Sequence, residues 1–547
     1  MNRLEKIIDT VVDPTLLPKA QTEFENIIAF SQIYVDKTEL IFSLAREHDF
    51  FFLSRPRRFG KTLLISTFAS LFQHGLKYFE GLKIDKQYRK FWEKEKTYKV
   101  LRLDLSLCST FSDVKEFLTA FENQLSNALI KSGLSLPNKN WEQDTLVSRF
   151  DRLLNGLDNA SLVLLIDEYD APLNHCLDNE KLFSEVRNEL FAFYLDLKKQ
   201  SPKMRFVFMT GISKYKNLGI FSGTNNFTDL SLMSDYGTLL GYTKEEIEEY
   251  FSPFVENAAN VLNISHETCL NKMAAYYDGY CFDRNASTHV FTPWSVLNFL
   301  RYPQNGFNNY WYESGGQPSV LLNYIKKHSL CTPDAYGREQ RISIRDLDSS
   351  CELGEINDLA LLFQAGYLSI KTAMPKDKAV VLNYPNSEVA DSMAVLYAER
   401  LFGNRDPLSF LDIGANELFE TQNPEDIVKT LNRLYLEIDY QYYPIQDEAS
   451  VRSHLQMYLR GAEIKATVEM HNAKGRSDLE FVAGTRYFVM EFKYQREGDD
   501  PVSLLKEAEK QIRTKHYGEQ LYPKLKHIHM ALVFSGSERQ FVKYAVF

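Results

Sequence analysis

Glu491 and Lys493 stand two residues apart in the stretch "GRSDLEFVAGTRYFVMEFKY" (475–494). Two runs with strand patterning, 478–482 and 486–493, flank the turn Ala483-Gly484-Thr485. Side chains two apart on a strand share a face, so Glu491 and Lys493 point the same way, and Asp478 opens the neighbouring strand. Two carboxylates beside a lysine suit metal-dependent phosphodiester hydrolysis. The carboxylates would hold Mg²⁺ or Mn²⁺, and the lysine would position water or meet the developing charge. A strand with ordinary surface charges could carry the same residues, but Glu491 and Lys493 share parity with Tyr487 and Val489 rather than with an all-polar face. The upstream helical pattern, 447–464, aligns Val451, Leu455, Tyr458 and Leu459, and Glu448 falls on the same side. Glu448 is then a metal ligand or a first-turn acid favoured by the helix dipole. Glu469 is a second candidate on the expected first strand. A helix from Asp500-Pro501 carries Gln511, and another strand follows at 527–536.

A second chemistry is written near the N-terminus, in "SRPRRFGKTLL" (54–64). An apolar strand, 48–53, precedes it. A helix over 61–73 follows, with Leu64, Ile65, Phe68, Leu71 and Phe72 at helical spacing and Gly75 as its stop. Strand, glycine loop and helix form the context in which backbone N–H groups and a helix dipole hold phosphate. Gly60 would allow the turn, Lys61 would reach the β and γ phosphates of ATP, and the Thr62 hydroxyl would ligate Mg²⁺. The triplet alone is equally a surface turn with a lysine. "SLVLLIDEYDAPL" (161–173) separates the readings: a central-strand run ends in Asp167-Glu168, where parallel sheets bind ligands. Asp167 would hold the Mg²⁺ shell and Glu168 would polarise the attacking water. Strands at 98–105 and 204–210 fit the same sheet, and Thr210 at the end of the second is a candidate sensor of the γ-phosphate.

These sites need several domains to carry them, and 547 residues allow three or four. The net charge of −10 excludes a uniformly basic nucleic-acid binder but not a basic groove. From residue 448 onward 16 Lys and Arg face 13 Asp and Glu, which is permissive for DNA. The six cysteines form no C-x-x-C pair, no long apolar run occurs, and no signal peptide is expected from the charged first residues. The expectation is a reduced, cytoplasmic protein without a membrane span. Residues 244–327 have a helical pattern, and 328–347 read as a polar linker. A helix ending near Gly366, then strands either side of 375–378, suggest a winged helix that binds DNA or merely closes the module.

"YVDKT" (34–38), "FLSRPRRFGKTLL" (52–64), "LLIDEYDAPL" (164–173), "TGISKY" (210–215), "FSGTNNFTDLS" (221–231), "YYDGYCF" (276–282), "FTPWSVLNFL" (291–300) and "YWYESGG" (310–316) together resemble the AAA-ATPase-like family found in bacteria. In that family R-P-R-R-F-G-K-[ST] is the usual phosphate-loop variant. Arg55 and Arg58 therefore join Gly60, Lys61, Thr62, Asp167 and Thr210 as candidate nucleotide-binding residues, acting on the phosphate or on a neighbouring subunit's nucleotide. The resemblance also implies a helical lid. Residues 440–537 resemble the PD-(D/E)XK nuclease superfamily. That resemblance implies Asp478 and Glu491 as metal ligands, Lys493 as the catalytic lysine, Glu448 as the helix acid and Gln511 as the later-helix polar residue.

The expected architecture is α/β and multidomain: a P-loop ATPase domain (1–235), a helical lid (236–327), a winged-helix-like region (328–405) and a restriction-endonuclease-like domain (406–547). The expected protein is an ATP-dependent or ATP-gated DNA nuclease, homo-oligomeric and acting in defence or repair. The alternative is a nucleotide-switched protein that grips DNA or a partner without cutting it.

Overall fold

A strand buried between helices must be apolar on both faces. The run Phe50-Phe51-Phe52-Leu53 meets that demand, and in the computed structural model it forms β1 (Phe50–Ser54), buried throughout. The structure describes residues 12–18, 21–92, 96–215, 227–314, 321, 337–348, 357–401, 413–438, 443–462, 464–468, 471–472, 475–515 and 522–547. The chain divides into two compact units, 1–330 with 339–388, and 331–338 with 389–547.

The first unit is built on a five-stranded parallel sheet. Its strands are β1, β2 (Lys99–Asp104), β3 (Leu162–Asp167), β4 (Met204–Gly211) and β5 (Phe227–Asp229), in the order β2-β3-β4-β1-β5. Parallel neighbours require crossovers, which the helices supply. Helices Val114–Lys131 and Glu180–Lys199 seal one face, packing Phe117, Phe121 and Phe193 against Leu103, Leu164 and Ile166. On the other face Phe68 and Phe72 of the helix Lys61–His74 meet Phe206 and Phe208. Sequence patterning predicts four of these strands to within a residue or two. It does not predict that β4 lies between β1 and β3, which brings Thr210-Gly211 beside both predicted motifs.

Gly211 marks a close approach. A Cβ built there would lie 2.4 Å from Tyr169 Cδ1 and 2.7 Å from Asp170 Oδ1. Neither neighbour is free to yield: Tyr169 Oη donates to Ser213 O at 2.6 Å, and Asp170 Oδ2 accepts from Ser213 N at 2.9 Å. Gly211→Ala is expected to cost roughly 1–3 kcal/mol by overpacking, read as a lower midpoint of urea unfolding.

Helices Lys244–Leu262, His266–Tyr277, Pro293–Arg301 and Tyr310–Glu313, in the stretch expected to be a lid, pack around Phe251, Phe254, Met273, Tyr277 and Phe299. A capping box between Thr243 and Glu246 starts the first of them. A winged element follows. Helix Asp358–Ala365 stops at left-handed Gly366, and β7 (Ser369–Met374) pairs with β8 (Ala379–Asn383). The linker expected over 328–347 is in part structured. Its described portion contains β6 (Gln340–Ser343), antiparallel to β8. The alternation around buried Ile342 is too short to stand out among charges. Lys214 ties this element to the sheet, pairing with Asp229 at 2.6 Å and Asp348 at 2.5 Å. Burial opposes its charge, and the two carboxylates prevail, raising it above the ordinary lysine value.

Glu388 joins lid to wing. Its buried carboxyl accepts from Trp311 N at 2.7 Å and from Ser295 Oγ at 2.8 Å. Burial pushes its pKa up to about 8. The folded state therefore holds a proton that the unfolded chain has already released above the usual carboxylate pKa. This contribution to stability is full at low pH and is lost as pH rises toward 8. Glu388→Gln is expected to flatten that part of the fall in thermal stability between pH 5 and pH 8.5, measured by differential scanning calorimetry.

The second unit carries a mixed sheet in the order β15-β14-β13-β12-β9: β9 (Ala466–Val468), β12 (Leu479–Ala483), β13 (Arg486–Gln495), β14 (Lys526–Ser535) and β15 (Gln540–Val546). Only β13 and β14 run parallel. A two-residue pair, β10 (His471–Asn472) and β11 (Gly475–Arg476), precedes β12. Alternation along β13 sorts its side chains. Phe488, Met490 and Phe492 pack with helices Pro424–Leu436 and Glu448–Gly461, while Tyr487 and Val489 face Ala508 and Ile512 of helix Pro501–Lys515. Among the described residues no helix is long and apolar enough to cross a membrane, and Cys108, Cys176, Cys269 and Cys281 are buried free thiols.

Candidate functional site

The helix Lys61–His74 begins at Gly60, whose φ of 93° disfavours any residue with a Cβ. No side chain caps this start and no acid lies in its first turn. Its N–H groups are thus arranged for an anion. A cavity of about 560 Å³ opens here. Arg57, Arg58, Gly60, Lys61, Thr62 and Glu168 line it together with the apolar or aromatic Ile33, Tyr34, Val35, Leu240 and Tyr242. Lys61 Nζ donates to the carbonyls of Arg55 and Pro56, each at 3.0 Å. Burial lowers its pKa, and the carboxylate of Glu168 works the other way. Glu168 is held at φ 49°, in the left-handed region, and burial raises its pKa against the pull of Lys61. Asp167 is buried behind it; its Oδ1 accepts from Thr210 Oγ1 at 2.5 Å and from Glu168 N at 3.0 Å.

Two candidates take other places. Arg55 does not face the cavity. Its N–H continues the β1–β4 ladder to Gly211 O at 3.1 Å, so its side chain follows strand parity away from the phosphate cradle. The guanidinium donates to Ser54 O and Ser231 O at 2.9 Å and to Tyr236 O at 3.2 Å, and it rests 4.2 Å over Phe282. Burial among neutral acceptors pushes it down to about 9. Thr210 likewise does not line the cavity; it orients Asp167. Sequence reasoning missed Asp170. It is buried, accepts from Ser213 N and Asn174 Nδ2, and sets the turn after β4. Its signal was present in the string D-E-Y-D.

In the second unit the ladder of β12 and β13 brings Asp478 beside Glu491. Asp478 Oδ2 accepts from Phe492 N at 2.8 Å, and Oδ1 pairs with Arg452 Nη1 at 3.0 Å. Glu491 is buried, and its Oε2 has no hydrogen-bond partner. Burial first, and the neighbouring Asp478 charge second, push its pKa up to about 8. Lys493 Nζ lies 3.7 Å from Glu448 Oε1, 3.9 Å from Glu491 Oε1 and 3.8 Å from Glu507 Oε1. Burial also raises Glu448, with Lys493 opposing. Glu507, on the helix Pro501–Lys515, is a second residue that sequence reasoning missed. Only the phase of a helix packed across the sheet brings it to Lys493. Gln511 lies one turn further on, with its Oε1 buried and unpartnered. Glu469 lies outside the described residues.

Residues 18–221 match the model of a predicted AAA-ATPase family, and residues 446–544 match that of the PD-(D/E)XK nuclease superfamily. The chain joins an AAA-ATPase-like domain to a PD-(D/E)XK nuclease domain. An uncharacterized protein in the vnfD 5′ region of Azotobacter chroococcum mcd 1 is 27% identical over 528 residues, covering 94% of this chain and 95% of its own. The structure of the Aeropyrum pernix ORC2 protein in ADPNP and ADP complexes aligns over 68% of this chain and 92% of its own. With 10% identity and a TM-score of 0.23, that likeness is too loose to carry an argument.

The nuclease domain offers hard oxygen donors, which suit Mg²⁺ or Mn²⁺ better than a thiophilic ion. Among the described residues, however, no three His, Cys, Asp or Glu side chains are grouped to hold a metal. Arg452 engages Asp478, and Glu448 leans to Lys493. The unpartnered Oε2 of Glu491 next to Asp478 fits a cation held by two carboxylates, and Mg²⁺ commonly keeps several waters. In the ATPase-like domain, Lys61, Thr62 and Glu168, which line one cavity with apolar side chains, suit a Mg²⁺-bound triphosphate.

Proposed function

We propose that this protein binds and hydrolyses ATP in its first unit, and that its nucleotide state governs metal-dependent cleavage of DNA by its second. The observation that carries the reading is the convergence of Asp478, Glu491 and Lys493 at one point of the nuclease domain, with Glu491 buried and one oxygen unpaired. A buried carboxylate pressed by a like charge is costly, and a divalent cation would relieve both. Bound there, the metal would activate water and stabilise the phosphorane-like charge. Lys493 would hold that water or meet the developing negative charge, and Glu448 and Glu507 would hold Lys493 in place. In the first unit Lys61 would bind phosphate, Thr62 and Asp167 would serve the Mg²⁺ shell, and Glu168 would orient the attacking water.

The assembly we propose is a cytoplasmic homo-oligomer acting on foreign or damaged DNA. A specific observation favours a second reading. The Arg452–Asp478 pair and the lack of a three-ligand group among the described residues suit a domain that grips DNA or a partner without cutting it. Cleavage assays with purified protein decide between them, using single- and double-stranded DNA and RNA with Mg²⁺ or Mn²⁺, with and without ATP. Metal-dependent products that vanish in a Glu491 variant support the nuclease. Binding and ATP-dependent assembly with no cut strand support the alternative.

A further inference from the structure

The Arg-Pro-Arg-Arg half of the phosphate loop meets the lid rather than only the cavity. Arg58 sits at φ 69° with its guanidinium 4.4 Å over the ring of Trp294. Its Nη2 donates to Ser314 O at 2.6 Å and its Nε to Ser314 Oγ at 3.2 Å. The lid grips the same turn in return: Trp311 Nε1 donates to Arg57 O at 3.2 Å. Ser314 Oγ also donates to Trp311 O at 2.8 Å, so the two contacts belong to one short lid helix. Among the described residues, the lid's share of the cavity lining, which includes Leu240, Tyr242, Trp294 and Ser314, holds no cation. Arg58 and Glu168 line the same cavity, and Arg58 feels the Glu168 carboxylate.

We infer that Arg58 is a positioning residue that exchanges its lid acceptor, the neutral carbonyl of Ser314, for the terminal phosphate of a nucleoside triphosphate. The inference rests on the ATP reading above. A guanidinium held by a neutral carbonyl gains a stronger, charge-assisted partner when a phosphate oxygen comes within reach. On the ATP reading Glu168 orients water at the terminal phosphate, and Arg58 lines the same cavity within reach of the Glu168 charge. A diphosphate lacks that group and leaves Arg58 on Ser314 and Trp294. Loss of the Arg58 contact frees the short helix Tyr310–Glu313 on one side, so the lid registers whether the third phosphate is present. The loop, not the lid, thus carries the cation that links them.

Tryptophan fluorescence tests this on the full chain, with ADP, with a non-hydrolysable triphosphate analogue, and with Trp294→Phe to assign the signal. Arg58→Asn is the informative variant, because Asn tolerates the left-handed backbone that this position requires. The wild type is expected to change Trp294 emission with the triphosphate and not with ADP. In Arg58→Asn the change should disappear, triphosphate affinity should fall about tenfold, and ADP affinity should stay within about twofold. Arg58→Lys should recover part of the triphosphate affinity. Equal losses for both nucleotides, or a Trp294 signal that answers ADP and triphosphate alike, overturn the inference while leaving the ATP site standing. Failure of the wild type to bind either nucleotide overturns both.

Discussion

Glu491→Gln is expected to abolish metal-dependent cleavage and at the same time to make the metal-free protein harder to unfold. The two effects share one cause. Glu491 is buried, one of its oxygens lacks a partner, and Asp478 presses on it with a like charge. Its pKa of about 8 lies above that of an unfolded glutamate, so stability is lost as pH rises from the usual carboxylate range to about 8. The amide removes that loss, and the gain over wild type should be larger at pH 8.5 than at pH 6. Each kcal/mol would shift the melting midpoint by about 2–4 °C for a unit of this size. With saturating Mg²⁺ or Mn²⁺ the order should reverse, because only wild type gains binding free energy from the cation. Lys493→Ala should cost roughly 10²–10³-fold in cleavage rate, the scale of losing one preorganised electrostatic contact. Thermal melts with and without metal, paired with cleavage rates, check both signs. A Glu491→Gln protein that is less stable without metal, or that cleaves at the wild-type rate, would falsify the assignment.

That conflict between stability and chemistry could be read in the sequence only in part. The parity of Glu491 and Lys493 on one strand, and the turn that returns Asp478 beside them, follow from a period of two and a short hairpin. The same local logic placed Gly60-Lys61-Thr62 at a helix start and Asp167-Glu168 at a strand end. What lay beyond it depends on partners distant in sequence. Arg55 finds Ser231, Tyr236 and Phe282, which no spacing rule connects to residue 55. Glu507 reaches Lys493 because a helix crosses the sheet in a particular phase. The position of β4 between β1 and β3 decides that Thr210 serves Asp167 instead of facing the cavity. Residue chemistry was legible where two groups lie on one element or its hairpin neighbour, and illegible where a crossover chooses the neighbour.

Glu168→Gln is expected to stop ATP hydrolysis while leaving ATP bound. Glu168 projects into the cavity from a residue strained at φ 49°, a conformation that costs a non-glycine residue roughly 1–3 kcal/mol. The strand end and Asp167 hold it there: Glu168 N donates to Asp167 Oδ1, and Thr210 fixes that oxygen. Burial raises its pKa toward the range where a carboxylate accepts a proton more readily, and Lys61 restrains the rise. Gln keeps the size and the left-handed backbone but cannot take the proton. The loss should be about 10²–10⁴-fold in turnover. ATP affinity should be unchanged or tighter, since one negative charge beside the triphosphate is gone. Lys61→Ala should differ in kind, losing affinity for ATP and ADP alike. The pair then separates occupancy from turnover in the second unit. If bound ATP alone governs cleavage, Glu168→Gln with ATP should hold the nuclease in one state indefinitely, and Lys61→Ala should hold it in the other. If the cycle of hydrolysis is needed, both variants should give the same cleavage rate. Equal ATP turnover in wild type and Glu168→Gln would remove Glu168 from the reaction. The strained backbone would then be a feature of the strand end, with the attacking water left to another group on the cavity wall.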